Sequence, residues 1–115
     1  MATRDDVHRR LEGLIDRLDA SDRGARNLAE ALPEARVLTV RVTDLDVDFW
    51  TVLEGGRLGE LREGKPDEAH IRIRAPSDTL VELIDGKGSL FSAYLAGTVR
   101  IDASVSDLLR LRKLL

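Results

Sequence analysis

The chain has 115 residues, of which 43% are hydrophobic and 34% are charged, and its 18 basic and 21 acidic residues give a net charge of −3. This balance lacks the basic excess of a protein that binds nucleic acid, and the absence of cysteine excludes disulfides, zinc–thiolate sites and thiol nucleophiles. The length and apolar content predict a single domain, residues 1–115, with one hydrophobic core.

The cellular location is predicted from what the sequence lacks. The first residues are charged and have no apolar run of the kind that a signal peptide carries. No stretch of the chain is apolar over a membrane-spanning length. We therefore expect a cytoplasmic protein that does not insert stably into a membrane.

Two helices are predicted in the first part of the chain, about residues 3–32. Thr3 and Asp6 have the spacing of a capping box. Apolar residues then recur at helical spacing from Val7 to Leu18, with charged residues between them. Ser21 can cap a second, shorter helix, which Pro33 ends.

From residue 35 the apolar period changes to two, which is typical of strands. Leu38, Val40 and Val42 alternate with polar side chains, so one face of this strand is predicted to be buried. The paired glycines Gly55 and Gly56 permit the positive φ angles of a hairpin turn. The strands predicted after the first one cover residues 47–53, a weak edge segment at 58–61, and 71–75.

The last part of the chain is predicted to form a helix, a short helix, a strand and a final helix. Ser77 follows Pro76 as an N-cap, and Ser104 with Asp107 forms a capping box for the final helix. The sheet and these helices span about residues 35–115. This order predicts an α+β domain, with a five-stranded, mainly antiparallel sheet that helices cover on one face.

The helices of this last part carry more large apolar side chains than a small sheet needs for its cover. The excess predicts an apolar cavity, although ordinary core packing accounts for most such residues in proteins. Phe91 and Leu95 stand four apart, so we expect both to point toward the sheet and the final helix, and Phe91→Trp to block the cavity. The candidate ligand-contacting residues are Leu80, Leu83, Ile84, Leu90, Phe91, Tyr94, Leu95, Leu108 and Leu109.

The few chemically distinctive residues do not assemble into a catalytic or metal site in the sequence. The acidic run from Asp44 to Asp48 fails the calcium-loop pattern, because Phe49 stands where glycine is needed. His8 and His70 have no nucleophile at a meaningful spacing, so structural or surface roles are expected for both. We therefore predict no catalytic residue, no metal site, no cofactor and no enzymatic activity.

A glycine-rich segment at Gly86-Lys87-Gly88 has some likeness to a phosphate loop. The required earlier glycine is replaced by Val81, so a helix stop followed by a helix start is the preferred interpretation. A weaker alternative stays open, in which Lys87 beside the helix start at Ser89 attracts an anionic head group.

Several segments after residue 35 together carry a family resemblance. They are Trp50-Thr51-Val52, the Gly55-Gly56 turn, the strand 69–75, the Ser77 helix with Leu83-Ile84-Asp85-Gly86-Lys87, the stretch 93–97, and Val99-Arg100-Ile101. On these residues the chain, from about residue 35 to its end, resembles the sterol carrier protein type lipid-binding domain. The family usually has a glycine just after the last strand, where this chain has Ala103.

The resemblance implies a five-stranded sheet packed with helices around an apolar tunnel, and a ligand that is a sterol, fatty acid, acyl-CoA or phospholipid. We therefore expect non-catalytic binding or transfer of an apolar lipid, and no nucleic-acid partner. An alternative of a different class is an accessory interaction module of the same fold, with a filled cavity, that acts through a protein partner or as a homodimer.

Overall fold

A mixed β-sheet with helices packed on it forms the domain in a computed structural model that describes residues 2–112. The predicted domain covers residues 1–115. Residue 1 and residues 113–115, which include Leu115 of the predicted final helix, lie outside the described residues. The described helices are α1 (Arg4–Ala20), α2 (Asp22–Ala31), α3 (Ser77–Ile84), α4 (Leu90–Ala96) and α5 (Val105–Arg112). The described strands are β1 (Arg36–Val42), β2 (Val47–Glu54), β3 (Arg57–Leu58), β4 (Arg62–Glu63), β5 (Ile71–Ala75) and β6 (Arg100–Asp102).

The strand order is β3-β2-β1-β5-β6, and β4 also pairs with β2. Every pairing is antiparallel except that of β1 with β5, which is parallel. The predicted α+β class and mainly antiparallel sheet are therefore confirmed. In place of the predicted edge segment at 58–61 there are two shorter strands, β3 and β4, which both pair with β2.

Strand register divides the sheet into two unlike faces. Val40 lies opposite Phe49 on β2 and Ile73 on β5, and these side chains share the face on which the helices pack, here called the covered face. Arg41, one residue along, lies opposite Asp48 and Arg74 on the other face, here called the open face. The alternation read from the sequence thus gives the correct orientation for β1 and β5.

The covered face is packed at both ends of its strands. At one end, α1 and α3 pack on the sheet in a first core cluster. At the other end, α2 packs on it in a second, smaller cluster. The buried members of the first cluster are Val7, Leu11, Val42, Phe49, Ala75, Leu80 and Val99, and those of the second are Ala31, Leu32, Leu53 and Ile71.

Most helix starts follow the predicted capping residues. Thr3 and Asp6 form a complete capping box, and the Ser21 and Ser89 side chains accept main-chain hydrogen bonds as N-caps. The prediction for Ser77 is wrong, because Ser77 is the first residue inside α3 and its main-chain N–H and hydroxyl both donate to the carboxylate of Asp44, at 2.8 and 2.7 Å. Asp44 supplies this cap from the β1–β2 turn, a contact between segments that local sequence patterns do not reveal.

The hairpin turn between β2 and β3 needs glycine for two reasons. Gly56 has a φ of +79°, in the left-handed region that other residues rarely adopt. A Cβ atom there would also lie 2.0 Å from the Ala25 carbonyl oxygen of α2. Helix α2 can therefore pack this closely against the turn only if residue 56 is glycine.

Candidate functional site

An apolar cavity of about 280 Å³ lies on the covered face, between the helices and the middle of the sheet. Three helices and four strands contribute to it, together with the segments next to β4 and β6. The residues that line it are Leu11, Leu14, Ile15, Leu38, Val40, Phe49, Trp50, Thr51, Leu58, Leu61, Ile73, Leu80, Leu83, Ile84, Leu90 and Val99.

The floor of the cavity is the stretch of sheet between the two core clusters. Val42 is fully buried, whereas Val40, two residues earlier on the same strand and face, is only partly buried. Ile71 is 1% exposed, and Ile73 on the same strand is again only partly buried. Apolar side chains that face the helices without being fully buried show that the helices do not fill the space above them.

The roof of the cavity is made by α1 and α3, which polar contacts join at several points. The Ala2 N–H donates to the Asp78 carboxylate at 2.8 Å, near the start of both helices. Farther along, Arg10 pairs with Asp85, and Arg17 donates to the Ile84 carbonyl oxygen at 3.3 Å. These contacts fix the roof helices side by side along their polar edges, while their apolar sides face the cavity.

The cavity wall offers a ligand almost no polar partner. The hydroxyl of Thr51 donates to the Gly59 carbonyl oxygen at 2.9 Å, so its hydrogen is already used. Strand alternation places the side chain of Trp50 on the open face, where it pairs in register with Thr39 and lies 5.7 Å from the Arg62 guanidinium. The remaining lining residues are aliphatic or, in the case of Phe49, aromatic, so the site can recognise shape and apolar surface and little else.

The structure brings some of the predicted ligand-contacting residues to this cavity and leaves others outside its lining. Leu80, Leu83, Ile84 and Leu90 line it. Leu108 is half-buried but lies outside the lining. The other predicted residues are on the surface, with exposures of 46% for Phe91, 39% for Tyr94, 68% for Leu95 and 58% for Leu109.

Phe91 and Leu95 were expected to point toward the sheet, and the structure shows the opposite. Helix α4 has seven residues and buries none of them, so only Leu90 at its start reaches the cavity. The four-residue spacing correctly places Phe91 and Leu95 on one side of the helix, but spacing does not say which way that side faces.

The lining residues outside the predicted set come mainly from α1 and the sheet. Leu11, Leu14 and Ile15 belong to the apolar stripe that marks α1 as amphipathic, and Leu38, Val40 and Ile73 belong to the alternating strands. The sequence identifies all six as inward-facing. Only the tertiary structure shows which inward-facing residues pack against other side chains and which border the cavity.

The acidic run between β1 and β2 has structural partners. Asp44 caps α3, and the donation by the Ser77 hydroxyl and N–H lowers the pKa of its carboxyl group. Asp46 and Asp48 both pair with Arg41, whose pKa is raised, most strongly by its hydrogen bond to Asp46. The carboxylates of this run thus hold a turn and a helix start together.

Both histidines also make structural contacts. The ring of His8 stacks on Phe49 with 5.3 Å between ring centroids, so it packs against the core on one side. The Nδ1 of His70 accepts a hydrogen bond from the Val37 main-chain N–H at 2.9 Å, which ties the start of β1 to the segment before β5.

A nearly buried ion pair attaches the final helix to the sheet. The Arg36 guanidinium donates to both carboxylate oxygens of Asp107, at 2.9 and 3.2 Å, and the two side chains are 12% and 5% exposed. This hydrogen bonding lowers the pKa of Asp107. The predicted capping box is therefore only half formed, since the Asp107 N–H donates to Ser104 while its carboxylate turns to Arg36.

Comparisons with known proteins agree with this architecture. A profile of the SCP-2 sterol transfer family matches residues 14–115. A comparison with curated protein sequences finds no match. A crystal structure of sterol carrier protein 2 aligns with a TM-score of 0.66 at 20% identity, over 89% of this chain and 84% of that one. Sterol carrier protein-2 like-3 from Aedes aegypti aligns with a TM-score of 0.61 at 18% identity, over 98% and 97%.

A similar fold also occurs as part of a larger enzyme. The stereoselective inverting sec-alkylsulfatase from Pseudomonas sp. aligns with a TM-score of 0.58 at 25% identity, over 79% of this chain. The aligned region is 14% of the sulfatase, so the present chain corresponds to a small part of that protein. Within residues 2–112, none of the helices has the length and apolar character needed to cross a bilayer.

Proposed function

This chain belongs to the SCP-2 sterol transfer family, and from that premise we propose that it binds one apolar lipid chain in the cavity and carries it without chemical change. Lipid binding or transfer is the general role that the family name describes. The proposal adds the site, the kind of lipid and the absence of catalysis. A cytoplasmic location, expected from the sequence, belongs to the same proposal.

The observation that carries the proposal is the unfilled apolar space between two packed clusters. Burying apolar surface contributes roughly 25 cal/mol per Å², or about 0.8 kcal/mol for each CH₂ group. A chain of several methylenes therefore gains several kcal/mol by leaving water for this cavity, without any specific polar contact. The polar contacts that join α1 and α3 support this mechanism, since a preformed site needs little reorganisation on binding.

The size of the cavity favours a single flexible chain over a fused ring system. Apolar cavities of about 150 Å³ admit one benzene molecule. The cavity here, at about 280 Å³, has roughly twice that volume. An acyl chain can follow such a space and leave its head group outside, whereas a rigid sterol would require the walls to move apart. Fatty acids and acyl esters are therefore the proposed ligand class.

The lining also determines how selective the site can be. Because the Thr51 hydroxyl already donates its hydrogen to Gly59, it can accept a hydrogen bond from a ligand hydroxyl but cannot donate one to a carboxylate. Chain length and branching should then control affinity, while head-group chemistry should matter little.

The direct test is a binding titration with a fluorescent fatty-acid probe, compared between two enlarged variants. Val40→Phe adds bulk to the floor of the cavity and should abolish probe binding while the protein stays folded, because the added ring occupies an existing void. Phe91→Trp is the matched control, since Phe91 is 46% exposed and outside the lining, and it should bind the probe like the wild type. Equal binding by all three proteins would place the probe elsewhere and remove the proposal.

A second candidate function, that of an interaction module, has one observation in its favour. Helices α4 and α5 expose large apolar side chains, among them Leu95 at 68%, Val105 at 74% and Leu109 at 58%. Residues 91 and 95 share one side of α4, and residues 105 and 109 share one side of α5. Sedimentation over a concentration range distinguishes the candidates: dimerisation that Leu95→Gln abolishes, with no probe binding, favours the interaction module.

A further inference from the structure

The open face of the sheet, on the side away from the apolar cavity, carries a second recess. It has a volume of about 280 Å³ and lies between strands β1, β2 and β5 and the loop before β5. We call it the sheet cleft. Among residues 2–112, its basic side chains are Arg41, Lys65, Arg72 and Arg74, and its acidic ones are Asp48 and Asp67.

The sheet cleft is positive in a protein that is negative as a whole. Four basic side chains line it against two carboxylates, whereas the chain has a net charge of −3. A positive recess in an acidic protein is not a by-product of overall composition. It creates a local field that attracts anions.

The register of the strands adds a row of like charges beside this cleft. Arg41 on β1 lies opposite Arg74 on β5, and Arg74 lies opposite Arg100 on β6. Like charges directly opposite each other on neighbouring strands are destabilising. Three carboxylates offset this repulsion: Asp46 and Asp48 pair with Arg41, the latter at 2.9 Å, and Asp102 pairs with Arg74 at 2.7 Å.

Within the described part of the chain, two of the basic side chains that line the sheet cleft are not paired with a carboxylate. Among residues 2–112, neither Lys65 nor Arg72 makes an ion pair. Both of these side chains line the cleft and are exposed, so they are accessible to an anion from solution. An anion with several oxygens could therefore pair with both without displacing a carboxylate.

We propose that the sheet cleft binds a phosphate-type anion, through Lys65 and Arg72. Guanidinium groups match the oxygens of phosphate in pairs, and lysine adds a charge that can adjust its position. The anion is either a small soluble phosphate compound or the phosphate of a lipid head group at a membrane surface. This site is separate from the apolar cavity, so its occupation does not depend on the lipid-carrier function.

The test is a titration of the whole chain with pyrophosphate at constant ionic strength, set with sodium chloride. Trp50 fluorescence and the thermal midpoint are the readouts, because Trp50 lies opposite Thr39, which borders the cleft, and ligand binding to the native state raises the midpoint. Arg72→Gln and Lys65→Gln should each weaken binding about tenfold or more, as the loss of a charged hydrogen bond does. Arg23→Gln, on the exposed surface of α2, is the charge-matched control and should bind as the wild type does.

A parallel arm uses phosphatidylcholine vesicles with and without phosphatidic acid to distinguish the two sources of phosphate. Binding of either pyrophosphate or the phosphatidic acid vesicles, lost in Arg72→Gln and kept in Arg23→Gln, supports the site and identifies its source. A response no larger than that to chloride, or an Arg72→Gln protein that responds like the wild type, overturns it. Probe binding in the apolar cavity should be unchanged in Arg72→Gln, so the two proposals can fail independently.

Discussion

The ends of the covered face and its middle are built from the same strands, yet only the ends are filled. On β1, Val42 is fully buried and Val40 is not; on β5, Ile71 is 1% exposed and Ile73 is only partly buried. All four are β-branched, apolar and on the same face. The difference between core and cavity therefore comes from what lies above each residue.

The points at which the helices pack onto the sheet determine which strand residues are covered. At one end α1 and α3 bring Val7 and Leu80 down onto the sheet, and at the other α2 brings Leu32 onto it. Between these points the polar contacts of Arg10 and Arg17 with the end of α3 hold the two roof helices together. A domain can thus keep a void if two packed clusters supply its stability on either side.

The largest effect is expected from shortening matched leucines in the two regions. Leu53→Ala removes a fully packed side chain of the second cluster and should lower the free energy of unfolding by about 3–5 kcal/mol. Leu38→Ala on the neighbouring strand shortens a half-buried side chain where the second cluster borders the cavity, and should cost less, about 2 kcal/mol. Urea unfolding of both variants measures the difference, and equal losses would mean that the cavity wall is as well packed as the cluster.

A smaller effect is expected at the ion pair that attaches α5 to β1. Asp107→Asn weakens the charged hydrogen bonds from Arg36 and should cost about 1.5–3 kcal/mol at neutral pH. Because the pKa of Asp107 is lowered in the folded state, mainly by its hydrogen bond to Arg36, its contribution is complete above the ordinary aspartate pKa of about 4. That contribution is lost as the pH falls from there through the lowered pKa.

As the pH falls below about 4, the free energies of unfolding of the wild type and Asp107→Asn should therefore converge. The comparison with the variant isolates Asp107, since Asp6 and Asp44 also have lowered pKa values in both proteins. Unfolding free energies measured at several pH values provide the check. A gap between the two proteins that stays constant down to the lowest pH would assign the loss to packing and not to charge.

The smallest effect is expected on the exposed side of α4. Leu95 is 68% exposed, so Leu95→Gln should change stability by no more than about 0.5 kcal/mol and leave probe binding intact. Thermal unfolding together with the probe titration measures both. A loss of more than about 1 kcal/mol would show that α4 packs more tightly than its exposure indicates.

Much of the fold follows from local sequence patterns. The alternation of Leu38, Val40 and Val42, the cap at Thr3 and the stop before Pro33 all correspond to observed elements. Each of these depends on interactions within a few residues, which explains why the sequence is enough. The cap on Ser77 by Asp44 and the pairing of Arg36 with Asp107 join residues 33 and 71 positions apart, and no local pattern reveals such contacts.

The site was predictable only in part, for a related physical reason. Leu80, Leu83 and Ile84 lie on a helix whose apolar side faces the sheet, and they line the cavity, while their contact with a ligand stays a prediction. Phe91 and Leu95 lie on a helix too short and too exposed for periodicity to fix its orientation. Periodicity gives the direction of a side chain relative to its own element, and the void depends on the spacing between elements.

The most direct test of the account is a displacement series with unlabelled fatty acids of increasing chain length. If the cavity takes an acyl chain, affinity should rise about fourfold for each added CH₂, equivalent to about 0.8 kcal/mol, and reach a plateau at the length that fills the space. Val40→Phe should remove this dependence, because its ring occupies the floor. Affinity that is independent of chain length in the wild type, or a length dependence that persists unchanged in Val40→Phe, would contradict the central claim.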